Sequence, residues 1–250
     1  MEANIKSTFA RKWEKYFPGA ELPLVFFYTD ESPEEPIHVP DGWHCLICDL
    51  LVARQGDVLY FDADSVGCGG AKRYLGFSEG IMPEFEYFLS CGIPGKMEGE
   101  RYKSSPEVVA RLMKNYPSFR APGKYVVFKR WDKLGRGDEP EAVIFFAPPD
   151  VMSGLFTLAN FDRDDPHGVI APFASGCASI VQFPFLEGRS DRPRATLGMF
   201  DVSARPCVDG ETLTLAVPWA KFAGMVGNMD ESFLITGAWD RVRKRIKGRK

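Results

Sequence analysis

DVLYFDADSVGCGG, residues 57–70, reads as an apolar strand that passes through a polar turn into a glycine-rich helix start carrying a cysteine. GVIAPFASGCAS, residues 168–179, repeats that order. Outward from these two stretches the parallel continues. VFFYTDE (25–31) aligns with IFFAPPD (144–150), LLVAR (50–54) with LFTLAN (155–160), and VVFKRWDKL (126–134) is echoed by LAVPWAKF (215–222). The pattern predicts an internal duplication: pseudo-repeated halves at about 20–135 and 140–230, each strand–helix–strand–helix. The predicted class is α/β, with α+β as the alternative, and the halves build one mixed sheet in a single domain over 1–250.

The remaining elements follow from local signals. Ile5, Phe9, Trp13 and Tyr16 lie at helical spacing over 4–16, and FPGAELP ends that helix. LVFFY (24–28) is a buried strand between Pro23 and Asp30. TDESPEEPIHVPDG (29–42) is an acidic, proline-rich loop. A helix is predicted from about 43 to 54, with Asp41 as its cap and Gly56 as its stop, and a short helical piece near 83–90. SSPEVVARLMKNYP (104–117) carries a full set of helix signals: Ser105 to cap, Pro106 at the first position, Glu107 at the positive end and Pro117 beyond the last turn. KYVVFKRW (124–131) and AVIFFA (142–147) are strands, and PDVMSGLFTLANF (149–161) is a helix. Pro172 makes GVIAPF a short or edge strand. LGMFDVSARP (197–206) is predicted as a strand ending in Arg205.

The bulk properties exclude some functions. The 250 residues are 45% hydrophobic and 26% charged, with net charge −3, so no global positive field recruits nucleic acid or an anionic membrane. The tail 240–250 has seven basic residues in its last ten, and we read it as a solvated terminus because no second basic cluster with aromatics accompanies it. No apolar run approaches the roughly 18 residues of a membrane span, and MEANIKSTFARKWEKYF is charged throughout rather than patterned for secretion. The expectation is a cytoplasmic protein with a small-molecule partner, and with neither nucleic acid nor membrane as partner. In that compartment Cys45, Cys48, Cys68, Cys91, Cys177 and Cys207 are expected as thiols or metal ligands rather than disulfides.

The two glycine–cysteine turns are the candidate site. Amides at a helix start lack intrahelical partners and point outward, so such a turn can hold an anion and favours a thiolate. Gly67, Cys68, Gly69, Gly70, Gly176, Cys177, Ala178 and Ser179 are the candidate ligand-binding residues, with Cys68 and Cys177 as candidate reactive thiols. Arg205 is a further anion-binding candidate, and Arg54, Lys72, Arg73 and Arg163 also flank the turns. Cys45-Leu46-Ile47-Cys48 at a helix start is either a dithiol redox pair or half a metal site. Cys45, Cys48, Cys68 and Cys177 are the alternative ligands of an iron–sulfur cluster or other thiolate-bound metal. The histidines, His38, His44 and His167, form no metal-binding spacing, and DRDDPHG (162–168) is an acidic loop able to bind a cation or simply be solvated. Walker, G-x-S-x-G and dinucleotide fingerprints are absent from the sequence.

Taken together, CDLLVARQG (48–56), SVGCGGAKRYLGF (65–77), GERYKSSPE (99–107), VIFFAPPD (143–150), LANFDR (158–163), ASGCASI (174–180), DVSAR (201–205) and SFLITGAW (232–239) resemble the DUF169 family of bacterial and archaeal proteins. The resemblance runs from about residue 20 to 245. It implies that the thiols matching Cys48, Cys68 and Cys177 recur in the family, whereas Cys45, Cys91 and Cys207 are particular to this chain. The family is one of unknown function, so the resemblance carries no reaction, cofactor or catalytic residue. Three functions stay open: a binder of a small anionic ligand between the two turns, either as a simple binder or as a thiol-dependent enzyme; a redox protein with an iron–sulfur cluster or other thiolate-bound metal; and a scaffold whose cysteines only pack.

Overall fold

The computed structural model describes residues 2–32 and 44–248. His38, Asp41 and Trp43, with the middle of the proline-rich loop, lie outside the described residues. In chain order the elements are α1 (Glu2–Tyr16), β1 (Leu24–Thr29), α2 (Leu46–Gln55), β2 (Leu59–Phe61), α3 (Gly69–Tyr74), α4 (Phe85–Phe88), α5 (Pro106–Asn115), β3 (Tyr125–Arg130), β4 (Ala142–Ala147), α6 (Pro149–Ala159), β5 (Val169–Ile170), α7 (Phe183–Glu187), β6 (Ala195–Gly198), β7 (Leu213–Pro218), α8 (Trp219–Asn228) and α9 (Gly237–Lys247). The local signals act as their chemistry dictates. Ser105 Oγ accepts the Val108 amide at the start of α5, with a proline in the first turn. Gly56 closes α2 in the left-handed conformation, φ 111°.

The strands form one seven-stranded sheet in the order β2-β3-β1-β4-β7-β6-β5. Every neighbouring pair is antiparallel except β5 with β6, so the sheet is mixed. The centre is the β1–β4 pair, in register Leu24↔Ile144, Val25↔Val143 and Phe26↔Ala142. Those residues are fully buried, which is why both strands read as unbroken apolar runs rather than as alternating ones. β5 lies at an edge and spans two residues, as Pro172 requires.

Helices cover both faces. On one face Phe9, Trp13 and Phe17 of α1 and the turn after it pack with Phe145, Leu155, Phe222 and Trp239. Trp13 stacks on Phe17 at 4.5 Å between ring centroids, and Phe9 meets Trp131 edge-on at 4.6 Å. Lys12 is buried there and donates to the Val226 carbonyl at 2.8 Å, satisfying an orphan acceptor in the last turn of α8. Its ammonium also pairs with Asp230 at 2.9 Å, and the Tyr16 hydroxyl donates to the same carboxylate at 2.6 Å. The opposite face holds Leu46, Ile47, Leu50 and Ala53 of α2, Ala71 and Tyr74 of α3, and Ala178, Ile180, Val181 and Phe185 of the helix that starts at Gly176.

One expectation is left unconfirmed and one is corrected. The duplication is not confirmed. α2 packs on one face of the sheet and its predicted counterpart α6 on the other, whereas both glycine–cysteine segments lie on the α2 face. A single rotation relating the halves cannot exchange the faces for one helix and keep them for the next. The predicted strand over 197–206 stops at Gly198, because Met199 adopts φ 67° and turns the chain, and Arg205 lies on a 3₁₀ turn instead.

Two stability measurements check this packing. A Cβ on Gly154 of α6 would lie 2.4 Å from the Trp239 ring and 2.8 Å from that of Phe17. Gly154→Ala is therefore expected to cost about 1–3 kcal/mol in urea unfolding. Hydrogen bonds from Tyr16, Lys12 and Lys15 hold the Asp230 carboxyl well below the usual carboxylate range. Its stabilising effect is complete above the unfolded-state value of about 4 and is lost as pH falls below it. Asp230→Asn is expected to flatten the acid limb of stability against pH, read by urea unfolding across that range, and to shift the alkaline limb as well, because the same carboxylate raises the Lys15 and Tyr16 values.

Candidate functional site

α2 begins at Cys45, which is the N-cap residue in an extended conformation, φ −92° and ψ 122°. Cys48 follows one turn later, so both sulfurs fall on one side of the helix, while Leu46 and Ile47 fill the core beneath them. His44 Nδ1 hydrogen-bonds the Asp49 carboxylate, and its ring lies over Phe61 at 6.3 Å between centroids. Burial raises the Asp49 carboxyl above its ordinary value, and His44 opposes that rise.

Cys48 is disulfide-bonded to Cys207, 159 residues away, with Cα atoms 4.7 Å apart. The free Cys45 sulfur stands beside this bridge, and the sulfurs of Cys45, Cys48 and Cys207 all lie within 4.8 Å of one another. Cys45 and Cys207 are half-buried and Cys48 is exposed, so the triad opens to solvent. The expectation of thiols throughout is thus corrected at Cys48 and Cys207. The spacing of the sequence could not reveal their pairing, because the chain folds through most of the sheet between them.

Cys207 is held by the turn that precedes it. The Asp201 carboxylate accepts the Ser203 amide at 3.1 Å and its hydroxyl at 2.7 Å. Arg205 donates to the carbonyls of Met199, Asp209, Gly210 and Thr212. Its guanidinium is occupied in wrapping the 199–212 loop, which corrects its assignment as an anion binder. Arg54 likewise pairs with Glu21 at 2.7 Å, Arg73 with the Glu79 carbonyl and Arg163 with Asp165 at 2.9 Å. Asp164 and Asp165 of the acidic loop are taken up by Arg192 and Arg163, and exposed His167 gives its amide to Asp165.

The second glycine–cysteine segment is packed tightly against α2. A Cβ on Gly176 would lie 2.8 Å from Ile47 Cγ1 and 3.3 Å from Ala204 Cβ, so glycine lets three segments meet. The amides of this helix start are already bound: Gly176 N to Asp201 Oδ2 at 2.9 Å, Ala178 N to Ser175 Oγ at 3.2 Å and Ser179 N to the Ser175 carbonyl at 3.0 Å. This corrects the anion role expected of Gly176, Ala178 and Ser179, since the chain's own Asp201 supplies the negative charge. Residues 178–182 form a π-helical turn, a feature often found at functional sites.

Cys177 lies in that helix, 8% exposed. Burial pushes its thiol well above the ordinary value, and the nearby sulfurs of Cys68 and Cys45 push it further. The Cys177 thiol is thus within electrostatic reach of those of Cys68 and Cys45. Burial, with Cys177 next, also raises the Tyr74 hydroxyl to about 12. Tyr116, whose ring lies 6.0 Å from that of Tyr74, keeps a buried hydroxyl without a partner. Cys68 is the half-buried N-cap of α3, and the space beside Gly69 is open. A groove of about 290 Å³ is lined by Asp62, Asp64, Phe77, Arg120 and Lys124, with no residue from 67–70 or 176–179. Exposed Cys91 does not join the triad.

The family model DUF169, described as "Uncharacterised ArCR", matches residues 19–228. No curated protein and no solved structure matches the chain.

The burial pattern sets an order of thiol reactivity, because the thiolate is the reactive form. In iodoacetamide labelling at pH 8, Cys91 is expected to react first. Cys177 stays unlabelled even at pH 9 until urea opens the fold. Peptide mapping of the alkylated protein reads the order directly.

Proposed function

The chain belongs to the DUF169 family, and we propose that it is a cytoplasmic thiol–disulfide redox protein. Its working bond is Cys48–Cys207. One observation carries this reading: a disulfide at the surface has a free thiol, Cys45, within 4.8 Å of both its sulfurs. In a reducing compartment bridges of this kind are catalytic or sensing rather than structural. Thiol–disulfide exchange needs an attacking thiol, an accessible bridge and a thiol to resolve the mixed disulfide; the triad supplies the bridge and one free thiol, Cys45, and an external dithiol supplies the other.

The reaction balances without a bound cofactor. An external dithiol transfers two electrons and two protons to the bridge. It leaves as a disulfide while Cys48 and Cys207 become thiols. Within the chain, Cys45 attacks Cys48: the Cys45–Cys48 bond forms, the Cys48–Cys207 bond breaks, and Cys207 takes up the proton that Cys45 gives away. Cys68 and Cys177 are further free thiols, with Cys177 held protonated by burial. No helix of the described residues is long and apolar enough to cross a membrane, which agrees with a protein working on diffusible partners. The anionic-ligand reading keeps only the open 67–70 turn in its support, because the matching amides at 176, 178 and 179 are engaged within the chain.

The test is equilibration of the folded protein in graded reduced and oxidised dithiothreitol, followed by acid quenching and peptide mapping. A single two-electron transition of Cys48–Cys207 is expected, with a minor Cys45–Cys48 peptide near its midpoint. Cys45→Ser is expected to remove that peptide and slow exchange about tenfold. A native protein whose map lacks the Cys48–Cys207 peptide, or whose bridge reduces only after unfolding, overturns the proposal.

A further inference from the structure

We infer that reduction of the bridge turns the triad into a binding site for a thiophilic divalent metal of the zinc type, so that metal occupancy follows the redox state of the chain. The inference rests on the thiol–disulfide reading and adds a ligand to it.

The geometry starts from the three sulfurs. Tetrahedral zinc bonds thiolate sulfur at about 2.3 Å, which sets neighbouring sulfurs about 3.8 Å apart. Cys45, Cys48 and Cys207 already lie within 4.8 Å of one another. Opening the bridge frees two of them to move apart toward a metal's spacing by side-chain rotation. The backbone at both sides is fixed. Cys45 and Cys48 are one turn apart at the start of a ten-residue helix, and Cys207 closes a turn tied down by Arg205 and Asp201.

The donor set selects the metal. All three atoms are sulfur, and the nearest carboxylate on the helix, Asp49, is committed to His44. A soft or borderline cation is therefore favoured over calcium or magnesium, which demand oxygen. Exposed Cys48 leaves an entry path and a fourth coordination position for water or an incoming ligand. The positive end of α2 faces the charge that three thiolates would accumulate.

The bridge makes binding conditional. While Cys48 and Cys207 are joined, neither offers a thiolate, and Cys45 alone is a poor site. Oxidation of the loaded site reverses this. An external disulfide accepts two electrons and becomes two thiolates, the Cys48–Cys207 bond forms, and the metal is released.

The experiment titrates Cd²⁺, and then Zn²⁺ against a chromogenic chelator, into full-length protein in a Cys91→Ser background. One sample is reduced with a phosphine and desalted anaerobically; the other is left oxidised. Thiolate-to-cadmium absorption is expected to saturate at one metal per reduced chain and to be absent from the oxidised chain. Cys45→Ser and Cys45→Ala are each expected to weaken zinc binding at least about tenfold in reduced protein that retains the native circular dichroism. Equal binding by reduced and oxidised protein, or binding unaffected at Cys45, overturns the inference. If the bridge cycles in dithiothreitol but no metal binds, the metal site falls and the redox proposal stands. If one metal binds but the bridge never forms, the redox proposal and the gating fall together.

Discussion

The antiparallel pairing of β1 with β4 is the constraint on which the other contacts depend. It joins two stretches of chain more than a hundred residues apart through three fully buried cross-strand pairs. β3 and β2 extend the sheet from one side of this pair and β7, β6 and β5 from the other. Because both faces of the central strands are apolar, each must be covered, and the helices divide into two layers accordingly. A one-residue slip would exchange Leu24 and Phe26 with Val25 across the sheet and misplace both layers.

The layer on the α2 face is where chemistry and packing meet. α2, α3, the helix from Gly176 and the 201–207 turn approach one another closely because residues without bulk stand at the crossings. Gly176 admits Ile47 and Ala204, and Gly198 admits Ser179, whose hydroxyl would lie 2.3 Å from a Cβ there. Asp201 then neutralises the helix start that these glycines expose. All the cysteines but Cys91 gather in this layer because the elements carrying them are the ones that pack there. A dithiol motif on one helix thereby gains a partner from a distant turn.

The parts of this arrangement that are local were legible in the sequence. LVFFY and AVIFFA announce doubly buried strands, Ser105-Pro106-Glu107 announces a helix start, and Pro172 announces an edge. The likeness between the halves was legible too, but it described element order and not packing, and the opposite-face placement of α2 and α6 broke the symmetry it suggested. Cys48–Cys207 was hidden for a different reason. Its formation depends on where the β6–β7 connection falls, and that depends on the left-handed Met199 and on Arg205 finding four carbonyls. An arginine after a strand looks the same in sequence whether it holds a ligand or a loop.

A covalent link between residues 159 positions apart also acts on the unfolded chain. Tying those positions together removes loop entropy worth about 5 kcal/mol in the simple polymer picture, at the top of the range seen for such links. That is comparable with the entire folding free energy of an ordinary domain. The reduced chain, still folded, is consequently the more readily opened of the two forms wherever proteases survey unfolded protein. Cellular abundance would then carry a record of electron supply, independent of anything the thiols do to a substrate.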